Sequence, residues 1–468
     1  MSPHILNLLT KELTLATRRL PAINSRPSTL LTRHFIPSVT RKMPPKNGTA
    51  TKRKASPPRD PGTNGAKKSK VTNATSDPLR QPHAKFQESE DNGIVLRKFY
   101  PHEMNNARAL AYNSDRLPRP IELLASALEE TASERAAIQV EDSVVHWFKC
   151  DLRIKDNKSL YLASEKAKER GVPLVCMYIV SPEDFEAHLT SPVRVDFILR
   201  TLEVLKTDLG MLDIPLYVET VEKRRDVEGR ILELLEKWGA SHLFANAEYE
   251  VDELRREARL IRACLRKGIS MDVVPDTCVV SPGELRSGSG KQYAVYSPWF
   301  RSWVAHVHSN NVLLNLFDPP KKNPESARTT FASIFVKDIP EAPENKMLTD
   351  GEKKRFRSMW PAGEEEAHAR LARFADERIG KYQEHRNLPA TNGTSSLSVH
   401  FASGTLSTRT AVRTARDYNN TKKLDGGNQG IQTWISEIAW RDFYKHVLAH
   451  WPYVWYDYLT FRCFFTNT

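Results

Sequence analysis

Five short runs rich in β-branched and large apolar residues recur along the chain: Val144 to Phe148, Leu174 to Val180, Leu216 to Val221, Leu243 to Ala245 and Met271 to Val274. Amphipathic stretches around 159–169, 193–209, 226–237 and 253–266 lie between them. A strand followed by a helix long enough to cross back predicts βαβ units, whose right-handed crossovers build a parallel, doubly wound five-stranded sheet covered on both faces. Ligands of such α/β sheets sit beyond the carboxyl ends of the strands. After the first run the chain reads Lys149-Cys150-Asp151-Leu152-Arg153 and not GxGxxG, which argues against a nicotinamide dehydrogenase. Asp151, Arg153, Asp156 and Asn157 could meet a ligand there, but an ion pair and a helix cap explain them as well, and the structural reading is favoured.

The remaining sequence arranges itself around this unit. Five prolines between 315 and 350, without sustained periodicity, predict a long connection. Helical patterns at 363–386, 397–416 and 428–450 follow, with no strand signal between them, so an all-helical domain begins there. The expected organisation is a disordered basic arm over 1–82 and a helical lead-in over 83–142. The α/β domain then covers 143–310, a linker 311–350 and the first part of a helical domain 351–468.

Charge separates the arm from the body. The whole chain carries a formal +12, yet residues 1–82 hold 16 Lys and Arg against 3 Asp and Glu, which leaves the rest at −1. Basicity is therefore no argument that the folded body binds nucleic acid; particular residues must make that case. Residues 1–42 combine Arg18, Arg19, Arg26, Arg33 and Arg41 with hydroxyl residues and one acid, Glu12, as a mitochondrial presequence does. A start at Met43 would place Lys52-Arg53-Lys54 and Lys67-Lys68-Ser69-Lys70 near the terminus, a basic pattern read as nuclear import. Nucleus and mitochondrion are both expected, against an untargeted tail of the same composition. The five cysteines are scattered without metal-ligand spacing, so no metal is expected. No apolar run approaches the roughly 18 residues that span a bilayer, so no membrane partner is expected either.

Two stretches carry chemistry. Thr394-Ser395-Ser396-Leu397-Ser398 follows Asn392-Gly393 and opens a helical run, gathering hydroxyls and free backbone N–H groups where phosphate is attracted; an ordinary N-cap is the plainer alternative. The second stretch runs from Trp434 to His446. At 100° per residue Trp434, Glu437, Trp440, Arg441 and Tyr444 share a sector roughly 120° wide. Two indoles, a carboxylate, a guanidinium and a phenol suit a site that stacks a flat base and hydrogen-bonds its edge. The plainer reading is a helix buried by its aromatics with Glu437 and Arg441 paired.

At these residues the sequence resembles the DNA photolyases and cryptochromes, and within them the microbial, especially fungal, cyclobutane-dimer photolyases. The resemblance covers about 143–454, through Trp147-Phe148-x-x-Asp151-Leu152-Arg153, Tyr296-Ser297-Pro298-Trp299-Phe300, Gly393 to Ser398, Gly404-x-Leu406-Ser407 and the Trp434 to His446 helix. It implies an α/β domain followed by part of a helical FAD-binding domain, and a light-driven, monomeric enzyme that repairs pyrimidine dimers in damaged DNA by electron transfer from reduced FAD.

Carried over position by position, Tyr382 and Thr394, Ser395, Ser396, Leu397 and Ser398 are similar to flavin contacts, with Trp434 and Arg441 as further flavin-side residues. Glu437 resembles the carboxylate that hydrogen-bonds the dimer and Trp440 the indole that packs against it, with Arg441 and Tyr444 beside them on the DNA side. His188, Asp252 and Glu253 resemble contacts of a folate antenna (5,10-methenyltetrahydrofolate), although Asp252 replaces the family's frequent Asn. After Val454 the similarity fades into an aromatic-rich ending, whereas family members continue well beyond. The chain therefore reads as C-terminally truncated, with weak or absent flavin binding expected. A cryptochrome-type blue-light photoreceptor, a cofactor-free interaction fragment and a generic nucleotide-binding α/β protein are the competing readings.

Overall fold

The computed structural model describes residues 106–454, Pro389 excepted. The arm that carries both targeting patterns, and the aromatic ending after Val454, lie outside the described residues. The five expected strands form: β1 (Ser143–Phe148), β2 (Leu174–Val180), β3 (Leu216–Thr220), β4 (Ala240–Asn246) and β5 (Ser270–Val274). They make one parallel sheet in the order β3-β2-β1-β4-β5. Every residue of β1, β2 and β4 is buried. That is why these strands read as apolar runs without alternation, since helices cover both faces of a parallel sheet.

The covering helices include α1 (Pro120–Glu130), α2 (Lys158–Arg170), α3 (Pro192–Met211), α4 (Val227–Lys237) and α5 (Val251–Arg266). The chain runs outward from β1 through β2 to β3, then returns to the other side of β1 for β4 and β5. The crevice at this reversal opens beyond the carboxyl ends of β1 and β4. The Pro-rich stretch is packed against the α/β unit: Asn323 accepts from Leu174 N–H (2.8 Å) and donates to the Leu174 and Asp213 carbonyls (2.8 and 3.0 Å).

The helical unit is built on α6 (Tyr296–Ser309), α7 (Glu364–Glu377), α8 (Thr408–Asp417) and α9 (Gln429–His450). Trp299, Trp303, Phe374, Val412, Trp434 and Ile435 meet in its core. Two expected helical runs are interrupted. The 363–386 pattern ends at Glu377 and resumes only as the short helix Tyr382–His385. The 397–416 pattern breaks at Gly404, which has φ +72° and approaches so closely that a Cβ there would lie 2.1 Å from the Cys150 carbonyl oxygen. Only glycine combines that backbone conformation with that proximity.

This contact belongs to a buried junction between the two units. Leu152 N–H donates to Ser403 O (3.1 Å), Arg153 donates to Gly404 O (3.1 Å), and the Glu364 carboxylate accepts from the N–H groups of Ile154 (2.7 Å) and Lys155 (3.0 Å). Arg409 pairs with Asp156 (2.9 Å) and Asp276 (2.5 Å), while Arg153 also pairs with Asp276 and Ser407 donates to Asp156. Asn157 caps α2, accepting from Leu160 N–H. Ion pairs and a cap are thus what Asp151-Leu152-Arg153 and its neighbours make. Opposite charges this deeply buried are tolerated because each is paired, and removing one partner from such a set costs about 3–5 kcal/mol.

Candidate functional site

Helix α9 is anchored before any ligand is considered. The Asp442 carboxylate accepts from the N–H groups of Val279 (2.9 Å) and Val280 (3.3 Å) and from Trp303 Nε1 (3.3 Å). Burial pushes its pKa up to about 6 against the pull of Arg441 and those N–H groups. One turn on, His446 accepts at Nδ1 from Trp299 Nε1 (3.4 Å) and donates from Nε2 to Val280 O (2.8 Å). Burial lowers its pKa to about 4, so it is neutral at pH 7. Arg441 donates to the carbonyls of Thr277 (2.7 Å) and Phe401 (3.3 Å). The 277–280 segment thereby fixes both the rotation and the height of α9.

The five residues expected on one face have different surroundings. Trp434 is buried against Phe374, with centroids 5.2 Å apart. Arg441 is engaged with backbone carbonyls, and Tyr444 is 57% exposed. Trp440 is half-buried and stacks on Tyr296 at 3.5 Å and 9°. Glu437 pairs with Arg386 at 2.5 Å, with side chains 35% and 32% exposed, so the alternative pairing with Arg441 is not formed. What the helix presents outward is therefore Glu437, Trp440 and Tyr444.

Beside Glu437 lies Tyr382, whose ring meets Phe374 edge-on at 5.7 Å and lies 5.8 Å from the Arg386 guanidinium. Burial, then the charge of Glu437, raises its pKa. The hydroxyl loop folds onto the same short helix: a Cβ on Gly393 would come within 2.4 Å of His385 Cβ. Among the described residues Thr394, Ser395, Ser396 and Ser398 make no side-chain hydrogen bond, and the helix beginning at Ser398 has Leu397 as its N-cap with no side-chain cap. The expected alternative of an ordinary hydroxyl cap is thus not what forms. Free hydroxyls on a loop pinned beside Tyr382 fit the phosphate oxygens of a dinucleotide such as FAD. Leu397 itself is fully buried in the core, so only its backbone is available to a ligand.

The second expected cluster sits at the strand ends. His188 lies 3.4 Å from Asp252 and 3.7 Å from Glu253. Burial works against its charge, but the two acids beside it hold its pKa at about 10. Asp252 also pairs with Arg224, and Glu253 with Arg256 (2.9 Å), so both acids have arginine partners. The adjoining cleft, about 200 Å³, is lined by Trp147, Phe148, Tyr178, Lys149, Arg194 and Arg256. That is less than the roughly 300–1,000 Å³ of ordinary small-molecule sites. The space is small and both acids are paired, while the buried His188 Nε2 and Arg194 Nε on its lining make no hydrogen bond.

Two residues at the α9 face carry roles that the sequence alone did not assign. Arg386 lies one turn beyond Tyr382 as the C-cap of that short helix, a spacing that could have drawn attention to it. Tyr296 was quoted only as part of a motif, and no local pattern links it to Trp440.

A DNA photolyase family model matches residues 144–324. A deoxyribodipyrimidine photo-lyase of Neurospora crassa is 62% identical over 421 residues, covering 86% of this chain and 68% of the relative. The mitochondrial deoxyribodipyrimidine photo-lyase of Saccharomyces cerevisiae is 27% identical, covering 76% of this chain and 65% of the relative. The chain thus spans about two thirds of the length of these curated relatives. A bacterial class III photolyase from Agrobacterium tumefaciens has a similar fold, with TM-score 0.54 and 23% identity over 68% of this chain and 61% of that one. Identity at this level with the Neurospora protein, over a sheet and helices arranged as described, means that the chain belongs to the DNA photolyase family.

Proposed function

We propose that this chain splits cyclobutane pyrimidine dimers in DNA under light, with reduced FAD as electron donor. The observation that carries the reading is the outward face of α9, where Glu437 and Trp440 stand one turn apart, both partly exposed. The name of the Neurospora relative supports it. A dimer flipped out of the duplex would pack against Trp440 and donate base N–H to the Glu437 carboxylate. Arg386 pairs with that carboxylate from one side and leaves it about one-third exposed to a ligand. Tyr444, exposed beside Trp440, faces the DNA side.

Tyr382 and the hydroxyls of Thr394, Ser395, Ser396 and Ser398 would hold the flavin, with Leu397 and Trp434 supporting that wall from the core and Arg441 fixing the backbone behind it. Bound there in its reduced form, FAD would on excitation lend the electron that opens the cyclobutane ring and receive it back once the two pyrimidines have separated. A folate would meet His188 beside Asp252 and Glu253, which are already paired with Arg224 and Arg256, and no step is assigned to it. The yeast relative's mitochondrial name and the arm's composition support a mitochondrial address, with the nucleus as the second destination.

The test is blue-light illumination of the full chain, supplied with reduced FAD, on a duplex containing one thymine dimer. Light-dependent loss of the dimer is expected, reduced in Glu437→Gln. Retained flavin without dimer loss would favour a photoreceptor, and the absence of both dimer loss and preferential binding would overturn the proposal.

A further inference from the structure

The half-buried indole of Trp440 would be a poor surface for a flipped base if it were free to rotate, because binding would then have to order it. It is held from an unexpected direction. Tyr296, at the start of α6, lies 140 positions before Ser436 in sequence, yet its ring stacks on Trp440 at 3.5 Å and 9°. Its hydroxyl donates to Ser436 O (2.7 Å) and lies 2.8 Å from Ser436 Oγ, one turn before Trp440 on the same helix. Phe300 stacks behind Tyr296 at 5.5 Å and 17°, and Phe443 meets it edge-on at 5.6 Å. Filling space would need only an apolar ring. This tyrosine is tied to α9 twice, by ring and by hydroxyl.

We infer that Tyr296 is the positioning residue for Trp440, fixing the plane of the indole against which the dimer packs. The role rests on the proposed function of α9 and adds to it a residue that touches neither base nor flavin. Positioning of this kind favours binding by removing freedom beforehand.

The test uses the full chain labelled with 5-fluorotryptophan. The sequence has nine tryptophans, and Trp440→Phe assigns the resonance of interest. Tyr296→Leu is expected to move and broaden the Trp440 signal and to lower the preference for a thymine-dimer duplex over undamaged duplex about five-fold, the scale of one lost aromatic pair. Tyr296→Phe is expected to keep the signal's position but broaden it, with about a two-fold loss of preference; it carries the test if the leucine variant does not fold. An unmoved Trp440 signal in Tyr296→Leu, or a sharp signal and unchanged preference in Tyr296→Phe, would overturn the inference. So would full preference in Tyr296→Leu where Trp440→Ala has lost it, which leaves the proposed function standing. If the wild-type chain shows no preference for the dimer duplex, the proposed function fails and this role fails with it.

Discussion

Two arginine–carboxylate arrangements in the molecule use the same chemistry for opposite ends. At the junction Arg409 holds Asp156 and Asp276 where none of the three is more than 6% exposed. On α9 Arg386 holds Glu437 at 2.5 Å with both about one-third exposed. The buried set is committed to joining two units, because separating it would strand charge in the interior. The exposed pair contributes little to stability and remains available to a ligand. Burial, not residue type, separates scaffold from site.

The contrast is broken most directly at the junction. Arg409→Met should cost about 3–5 kcal/mol in urea unfolding at pH 7, since Asp156 and Asp276 lose their shared partner. A loss no larger than that of an exposed pair would erase the distinction.

Acid should act on the buried side as well. His446 has its pKa lowered by burial from 6.5 to about 4, so the folded state binds fewer protons in that window. Its contribution is complete above pH 6.5 and is lost as pH falls toward 4, by roughly 3 kcal/mol. His146, His242 and His400, lowered to about 3, 4 and 4, act in the same direction. Asp442, raised to about 6, acts oppositely and loses stability as pH rises from 3.8 through 6. Urea midpoints at pH 7 and 4.5 should therefore fall more for the wild type than for His446→Gln; equal falls would remove His446 from the account.

On the exposed side the expected effects move from stability to binding. Glu437→Gln should lower affinity for dimer-containing DNA about ten-fold while changing stability by less than about 1 kcal/mol. The smallest effect is expected at Arg225–Asp226, 83% and 60% exposed and 3.6 Å apart, where Arg225→Ala should leave unfolding and binding unchanged.

The sheet was legible because strands buried on both faces must be apolar throughout, as β1, β2 and β4 are. The break at Gly404 was not, because the Cys150 backbone that imposes it is distant in sequence. On α9 the residue types were readable, but helical periodicity could not separate buried Trp434 from exposed Tyr444. That difference depends on packing against α6, α8 and the 379–385 turn. The pairing of Glu437 with Arg386 was missed for the same reason, since a partner 51 positions away leaves no local pattern. At the strand ends His188, Asp252 and Glu253 do lie together, but Arg224 and Arg256, which pair with the acids, were not foreseen.

The central claim is that the outward face of α9 receives a flipped pyrimidine dimer. Competition binding of the full chain and of Trp440→Ala to duplexes with and without one thymine dimer tests it most directly. The account predicts that the wild-type chain prefers the damaged duplex and that Trp440→Ala loses this preference while keeping its affinity for undamaged DNA. Equal wild-type affinity for both duplexes, or a preference that survives Trp440→Ala, would contradict it.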